Sequence, residues 1–300
     1  MKYFRTLVTI LILGLVLLPT LPTRGQSPAW AVSESHGFVQ LLVANGVPPH
    51  YLDQIRLGIS AFSRYSRDSL GRSLQRTVHF HVFPDAQARQ PVMQLLLNLT
   101  NDQLRSALGI GVVGGKGCLD CSRPNGTIWL RVDEPWMPGP RQSAPVSLAF
   151  VAAHALTHMW QFEQGSARKE PQWWQEGVAD YVGYRAVDSV GHIPFGEATE
   201  YMKRVVLNSP VPMHRSLEGY GLTFEGANRI FYEWNQRARG AGYSLFALLA
   251  HRLAEQQSPA ALTAYYQEIG RGRLWPDAFE AAFKVKPEEA YQDLLRWVGL

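Results

Sequence analysis

Phe150-Val-Ala-Ala-His154-Ala155-Leu-Thr-His158-Met-Trp160 sets the architecture of this 300-residue chain. Wound as a helix, it puts two imidazoles four residues apart on one face, one turn from each other and within reach of a single metal ion. Ser143 and Pro145 are start signals for that helix and Gly165 is its stop. Leu148, Phe150, Val151, Leu156 and Met159 leave it few polar faces, so it is expected to be largely buried. Alone, this spacing more often marks two satisfied core histidines than a metal site. A second segment changes the balance: Pro171-Gln-Trp173-Trp174-Gln-Glu176-Gly177-Val-Ala179-Asp180-Tyr181, which offers a carboxylate on another helix eighteen residues after His158. Two His and one Glu, with a fourth position open, is the ligand count of a catalytic zinc site.

Together the two segments resemble the gluzincin branch of zinc metallopeptidases (peptidase MA-like). Its pattern is H-E-x-x-H, then a ligand Glu on the next helix in a W-x-x-E-G-x-A-x-Y setting. The resemblance covers about residues 50–300 and is specific only over about 150–184. It implies that His154, His158 and Glu176 hold Zn2+, and that Asp180, one turn beyond the ligand Glu, orients a ligand imidazole. It implies an α+β, zincin-like fold in which a small mixed sheet with an active-site helix precedes a mainly helical C-terminal half. Residues 32–190 and 191–300 would form the two subdomains. The family also places a Tyr or His where it donates to the oxyanion of the scissile carbonyl. Tyr243 is the candidate and Tyr220 the alternative, although a buried aromatic at a helix start accounts for Tyr243 equally well.

One position departs from the pattern. Directly after the first His the family carries Glu, the general base that takes a proton from water at the metal; this chain carries Ala155. A positioned general base contributes about two to four orders of magnitude in rate. Three functions therefore compete. The first is a pseudopeptidase that binds peptide or protein segments in an inherited cleft. The second is an active zinc metallopeptidase with a displaced base, and the third a structural exported domain with an empty site.

The first 31 residues read as a signal peptide. Lys2 and Arg5 form a charged start, Leu7 to Leu18 an apolar core ended by Pro19, and Ala29-Trp30-Ala31 a cleavage site. The apolar run is short for a membrane span. The expected product is exported, periplasmic or extracellular, with no membrane anchor after cleavage. The whole chain has 29 Lys and Arg against 25 Asp and Glu. Lys2, Arg5 and Arg24 lie in the leader, which has no acid, so the remainder is nearly neutral and offers no basic surface for nucleic acid. The two cysteines, Cys118 and Cys121, are expected to form a small disulfide in an oxidising compartment. Gly-rich sequence before them and Pro124-Asn125-Gly126 after them speak against a redox helix.

Along the chain, residues 32–50 read as a short helical lead-in, with Phe38–Val43 its apolar run and Gly46 and Pro48-Pro49 its breaks, and Tyr51–Leu70 as a helix. Thr77–Phe83 alternates as a strand, with His79 and His81 on a solvated or hydrogen-bonded face. Asp85 caps a helix running to Leu97, and Thr127–Val132 is the next strand; by resemblance it borders the cleft. Gly109-Ile-Gly111-Val-Val-Gly114 matches a dinucleotide fingerprint on paper, but a Cys loop and a turn follow it instead of a helix. The Glu176 helix is expected to run to about Val190. Helices follow over 197–207, 225–234, 243–256, 259–269 and 276 to the end.

Overall fold

Val39, Leu41 and Val43 are buried while Gln40 and Leu42 are partly exposed, and this period of two makes Val39–Val43 a strand, not the expected helical lead-in. The apolar run is too short to sustain a helix, and its β-branched ends suit an extended chain. The computed structural model describes residues 30–97, 126–133, 147–166, 170–209 and 241–300. Val32–His36 (β1) pairs antiparallel with Val39–Val43 (β2) across the two-residue turn Gly37-Phe38. Val78–Phe83 (β3) lies parallel to β2, and Thr127–Arg131 (β4) parallel to β3, which gives a mixed sheet in the order β1-β2-β3-β4. Parallel neighbours need a crossover. Pro49–Asp68 (α1) supplies the one between β2 and β3, and Ala86–Leu97 (α2) lies between β3 and β4 in the chain. Asp85 caps α2 as expected, its carboxylate accepting from the Ala88 N–H at 2.8 Å.

The ladder also reaches back past Val32. The Ala31 N–H donates to the Val43 carbonyl, and the Trp30 ring packs on His81 and Phe83. Cleavage after Ala31 would remove both contacts. Residues 1–29, Cys118 with Cys121, the Gly109–Gly114 run, Tyr220 and the helix expected over 225–234 lie outside the described residues.

One face of the sheet, with Leu41, Phe80, Ile128 and Leu130, joins the main core. The other carries His81, Phe83 and Trp129, and there the expected solvated face is corrected. His79 is exposed, but His81 is buried and stacked on Trp129, with ring centroids 4.4 Å apart. Burial, with His79 nearby, lowers the His81 pKa to about 4, so the ring is neutral in the fold.

Leu148–Gln164 (α3) is the central helix. Ser147 caps it, its Oγ accepting from the Phe150 N–H, in place of the expected start at Ser143 and Pro145. Gly165 ends it in the left-handed region at φ 117°, where a side chain would be strained. Gln172–Asp188 (α4), Phe195–Leu207 (α5), Ala241–Gln256 (α6) and Ala260–Gly270 (α7) follow within a few residues of the expected positions. The terminal helix expected from Pro276 is instead two, Trp275–Phe283 (α8) and Pro287–Val298 (α9). Lys284 takes a left-handed φ of 60° and Pro287 opens the next helix, so the first cannot continue. One continuous hydrophobic cluster takes residues from Val39 to Val298, so the sheet side and the helical side share a core. The fold is α+β, a four-stranded sheet with mainly helical content. Among the described residues no helix is long and apolar enough to cross a membrane.

Candidate metal centre

Helix α3 places His154 and His158 one turn apart, as the spacing requires. Both rings are buried, His154 to 1% exposure. The third group arrives on α4, which packs along α3. Its first turn is pinned by two fully buried indoles. Trp173 packs at a tilt on Phe246 of α6 and meets Trp275 edge-on, while Trp174 meets Tyr265, Phe279 and Phe283. Gly177, next to Glu176, allows α4 and α6 to touch: a Cβ there would stand 2.6 Å from the Phe246 backbone. Further along, Tyr184 stacks on Phe150 with centroids 4.2 Å apart, which ties the far ends of α3 and α4 together.

The outcome is a convergence of His154, His158 and Glu176. The two Nε2 atoms are 3.0 Å apart. Glu176 Oε2 lies 3.4 Å from that of His154 and 3.5 Å from that of His158. The tautomers follow from what holds the other ring nitrogens. Nδ1 of His154 faces the Asp180 carboxylate at 2.7 Å, and a carboxylate can only accept, so Nδ1 carries the hydrogen. Nδ1 of His158 faces Gln161 Oε1 at 2.8 Å, while the Gln161 Nε2 donates to the Gln175 carbonyl at 2.9 Å. A backbone carbonyl also only accepts, which fixes the amide orientation and puts the hydrogen of His158 on Nδ1 as well.

With both imidazoles neutral, two lone pairs and a carboxylate oxygen therefore point at one place; a proton taken up by one imidazole, or a metal ion, relieves that arrangement. A tetrahedral ion with bonds of about 2.0–2.2 Å needs donors spaced about 3.3–3.6 Å apart; both Glu176 spacings fall in that range and the imidazole pair is somewhat closer. The His-His-Glu group can thus hold a metal ion. The carboxylate is ready for it. Burial works to push the Glu176 carboxyl up, but the charge of His158 and the hydrogen bonds of both imidazoles outweigh it and hold the group well below the usual carboxylate range. Asp180, supporting His154, is flanked by Tyr184 and Tyr201. Burial and the Asp180 charge raise both phenols, so both stay protonated.

Ala155, where the resemblance calls for the base, is buried and belongs to the main core. Glu163, on the last turn of α3, is no substitute for the missing base. Its carboxylate accepts from the backbone N–H groups of Gln75 and Arg76, both at 2.8 Å, and so pins the segment that leads into β3. Tyr243 lies half-buried on the first turn of α6, which packs against the helix of Glu176.

Sequence reasoning missed Gln161 and, although Glu170 can be set aside with Glu163 as lying beyond the turn that faces the metal, missed the burial of Glu170. Gln161, three residues after His158, is completely buried. Glu170, in the turn before α4, is buried against Ser166, whose Oγ donates to it at 2.5 Å. Gln175 Nε2 donates in turn to the Ser166 Oγ at 2.7 Å, and burial raises the Glu170 pKa to about 8 against the hydrogen bonds of Ser166, Tyr265 and Tyr266. The signal for Gln161 was its i+3 spacing from a ligand on the same helix face. Glu170 sits in what reads as a polar loop and gave no signal. Set against known proteins, this chain matches no family model, no curated protein and no solved structure.

Proposed function

We propose that this protein holds one zinc ion in a gluzincin-like centre, is impaired as a peptidase, and acts by binding peptide or protein segments. Two His and one Glu with supported tautomers make a donor set suited to zinc. The observation that carries the functional half is Ala155: on the ligand helix, beside His154, a methyl stands where proton transfer needs a carboxylate. When bound, zinc supplies Lewis-acid polarisation of a carbonyl or of water. The chain's own residues hold and orient it. His154 and His158 give Nε2, Glu176 gives a carboxylate oxygen, and Asp180 keeps the proton of His154 on Nδ1. Tyr243 is assigned as the donor to a carbonyl oxygen at the site. Export to an oxidising compartment, with Cys118 and Cys121 bonded to each other, belongs to the same proposal.

The substitution Ala155→Glu tests it. Wild type should show no ordinary peptidase turnover. The variant should gain tenfold or more, within the range of about two to four orders of magnitude that a positioned base supplies. That gain should vanish on chelation. Chelator-sensitive turnover of the wild type at ordinary peptidase rates would overturn the impaired reading in favour of a displaced base. A folded, zinc-loaded variant with no gain would contradict a centre that lacks only its base.

A further inference from the structure

Gln161 makes three bonds and each has a chemical sense. Its Oε1 takes the Nδ1 hydrogen of His158, and its Nε2 divides between the Gln175 carbonyl and the Tyr266 hydroxyl at 2.8 Å. All three partners come from different helices: His158 from α3, Gln175 from α4 and Tyr266 from α7. Gln175 is also the residue immediately before Glu176, so one side-chain amide ties a histidine ligand to the backbone that carries the carboxylate ligand. Rotating the amide by half a turn would set its nitrogen against His158 and its oxygen against the Gln175 carbonyl, two acceptors face to face. The orientation is therefore locked, and with it the tautomer of His158.

We propose that Gln161 is a positioning residue for the metal centre, holding His158 as an Nε2 ligand and fixing α3 against the turn of α4 that presents Glu176. The proposal rests on the metal-binding reading above. Tyr266 is the third point of the clamp. It accepts from Gln161 and stands beside Glu170, and burial above all holds the phenol well above its ordinary pKa. This carries the clamp from the centre into the C-terminal helices. An amide is a weaker acceptor for an imidazole N–H than a carboxylate, so His158 gains orientation here with less added basicity than Asp180 gives His154.

The test measures zinc dissociation constants of the full-length protein by competition with a chromophoric chelator, together with the melting temperature of the metal-free protein. Gln161→Leu, close in size but without an acceptor, should bind zinc about 10–100-fold more weakly, the usual effect of losing a supporting partner. Gln161→Glu should restore affinity to within a few-fold of wild type, because its carboxyl, when protonated, accepts from Nδ1–H through one oxygen and donates to the Gln175 carbonyl through the other. Tyr266→Phe keeps the Gln175 contact and should fall between the two. Equal zinc affinity in wild type and Gln161→Leu, with only a lower apo melting temperature, would overturn the proposal and leave the metal site standing. A wild type that binds no zinc would overturn both. Should Gln161→Leu fail to fold, nitrogen chemical shifts of the zinc-loaded wild type decide: His158 is expected protonated at Nδ1 and ligated through Nε2, and the reverse would refute the assignment.

Discussion

Glu176 and Glu170 lie six residues apart around the start of α4, the first partly and the second fully buried, and they are driven in opposite directions. Two imidazoles face Glu176 and keep it ionised. Around Glu170 the described partners are a hydroxyl, two phenols and an amide, and burial lifts it to about 8. The first carboxyl is a ligand in search of a cation. The second is a neutral acid that takes the Ser166 hydroxyl just ahead of the helix start. Burial alone therefore does not mark a functional carboxyl; the basic partners facing it do.

Removing the charge from each carboxyl should have unlike effects. Glu176→Gln keeps the shape and loses a ligand, so zinc affinity should fall by more than the roughly 10–100-fold expected of a supporting residue, with the metal-free fold intact. Chelator competition measures it, and a loss of only a few-fold would move Glu176 out of the ligand set. Glu170→Gln should change zinc affinity no more than a few-fold and instead alter how stability depends on pH. In the folded chain the proton stays on Glu170 to about pH 8, whereas in the unfolded chain it leaves near 4.5. Between those values folding takes up a proton, so stability falls as pH rises through the window and levels off above it. At about 1.4 kcal/mol per pH unit the whole window is worth on the order of 5 kcal/mol. The variant should flatten that slope in melting curves taken from pH 5 to 8; an unchanged slope would place the titration elsewhere.

The site was more legible in the sequence than the sheet was. His154 and His158 at helical spacing, and the Trp-Gln-Glu-Gly setting of Glu176, carry chemistry in residue types that rarely occur together by chance, and the structure brings all three onto one point. Asp180 was placed only through the resemblance, and its carboxylate faces Nδ1 of His154 at 2.7 Å. The lead-in failed as a helix because the run Phe38–Val43 is uniformly apolar apart from Gln40, which hides a period of two until the burial of Val39, Leu41 and Val43 reveals it. The neutral His81 could not be seen either: alternation gives a face, but only Trp30, Phe83 and Trp129 packing on that face make it dry. Gln161 was hidden for a related reason. A glutamine near the end of a helix reads as solvent-facing until Gln175 and Tyr266, the latter 105 residues away in sequence, are found on its amide.

The zinc assignment turns on the ion held by the three converging atoms. The most direct measurement is elemental analysis of the full-length protein, purified without added metal and without chelators. One equivalent of zinc per chain is predicted, retained through gel filtration and lost on substitution of His154 by Ala. Metal-free protein that takes up no zinc on titration, or a His154→Ala variant that keeps a full equivalent, would contradict the assignment of His154, His158 and Glu176 as its ligands.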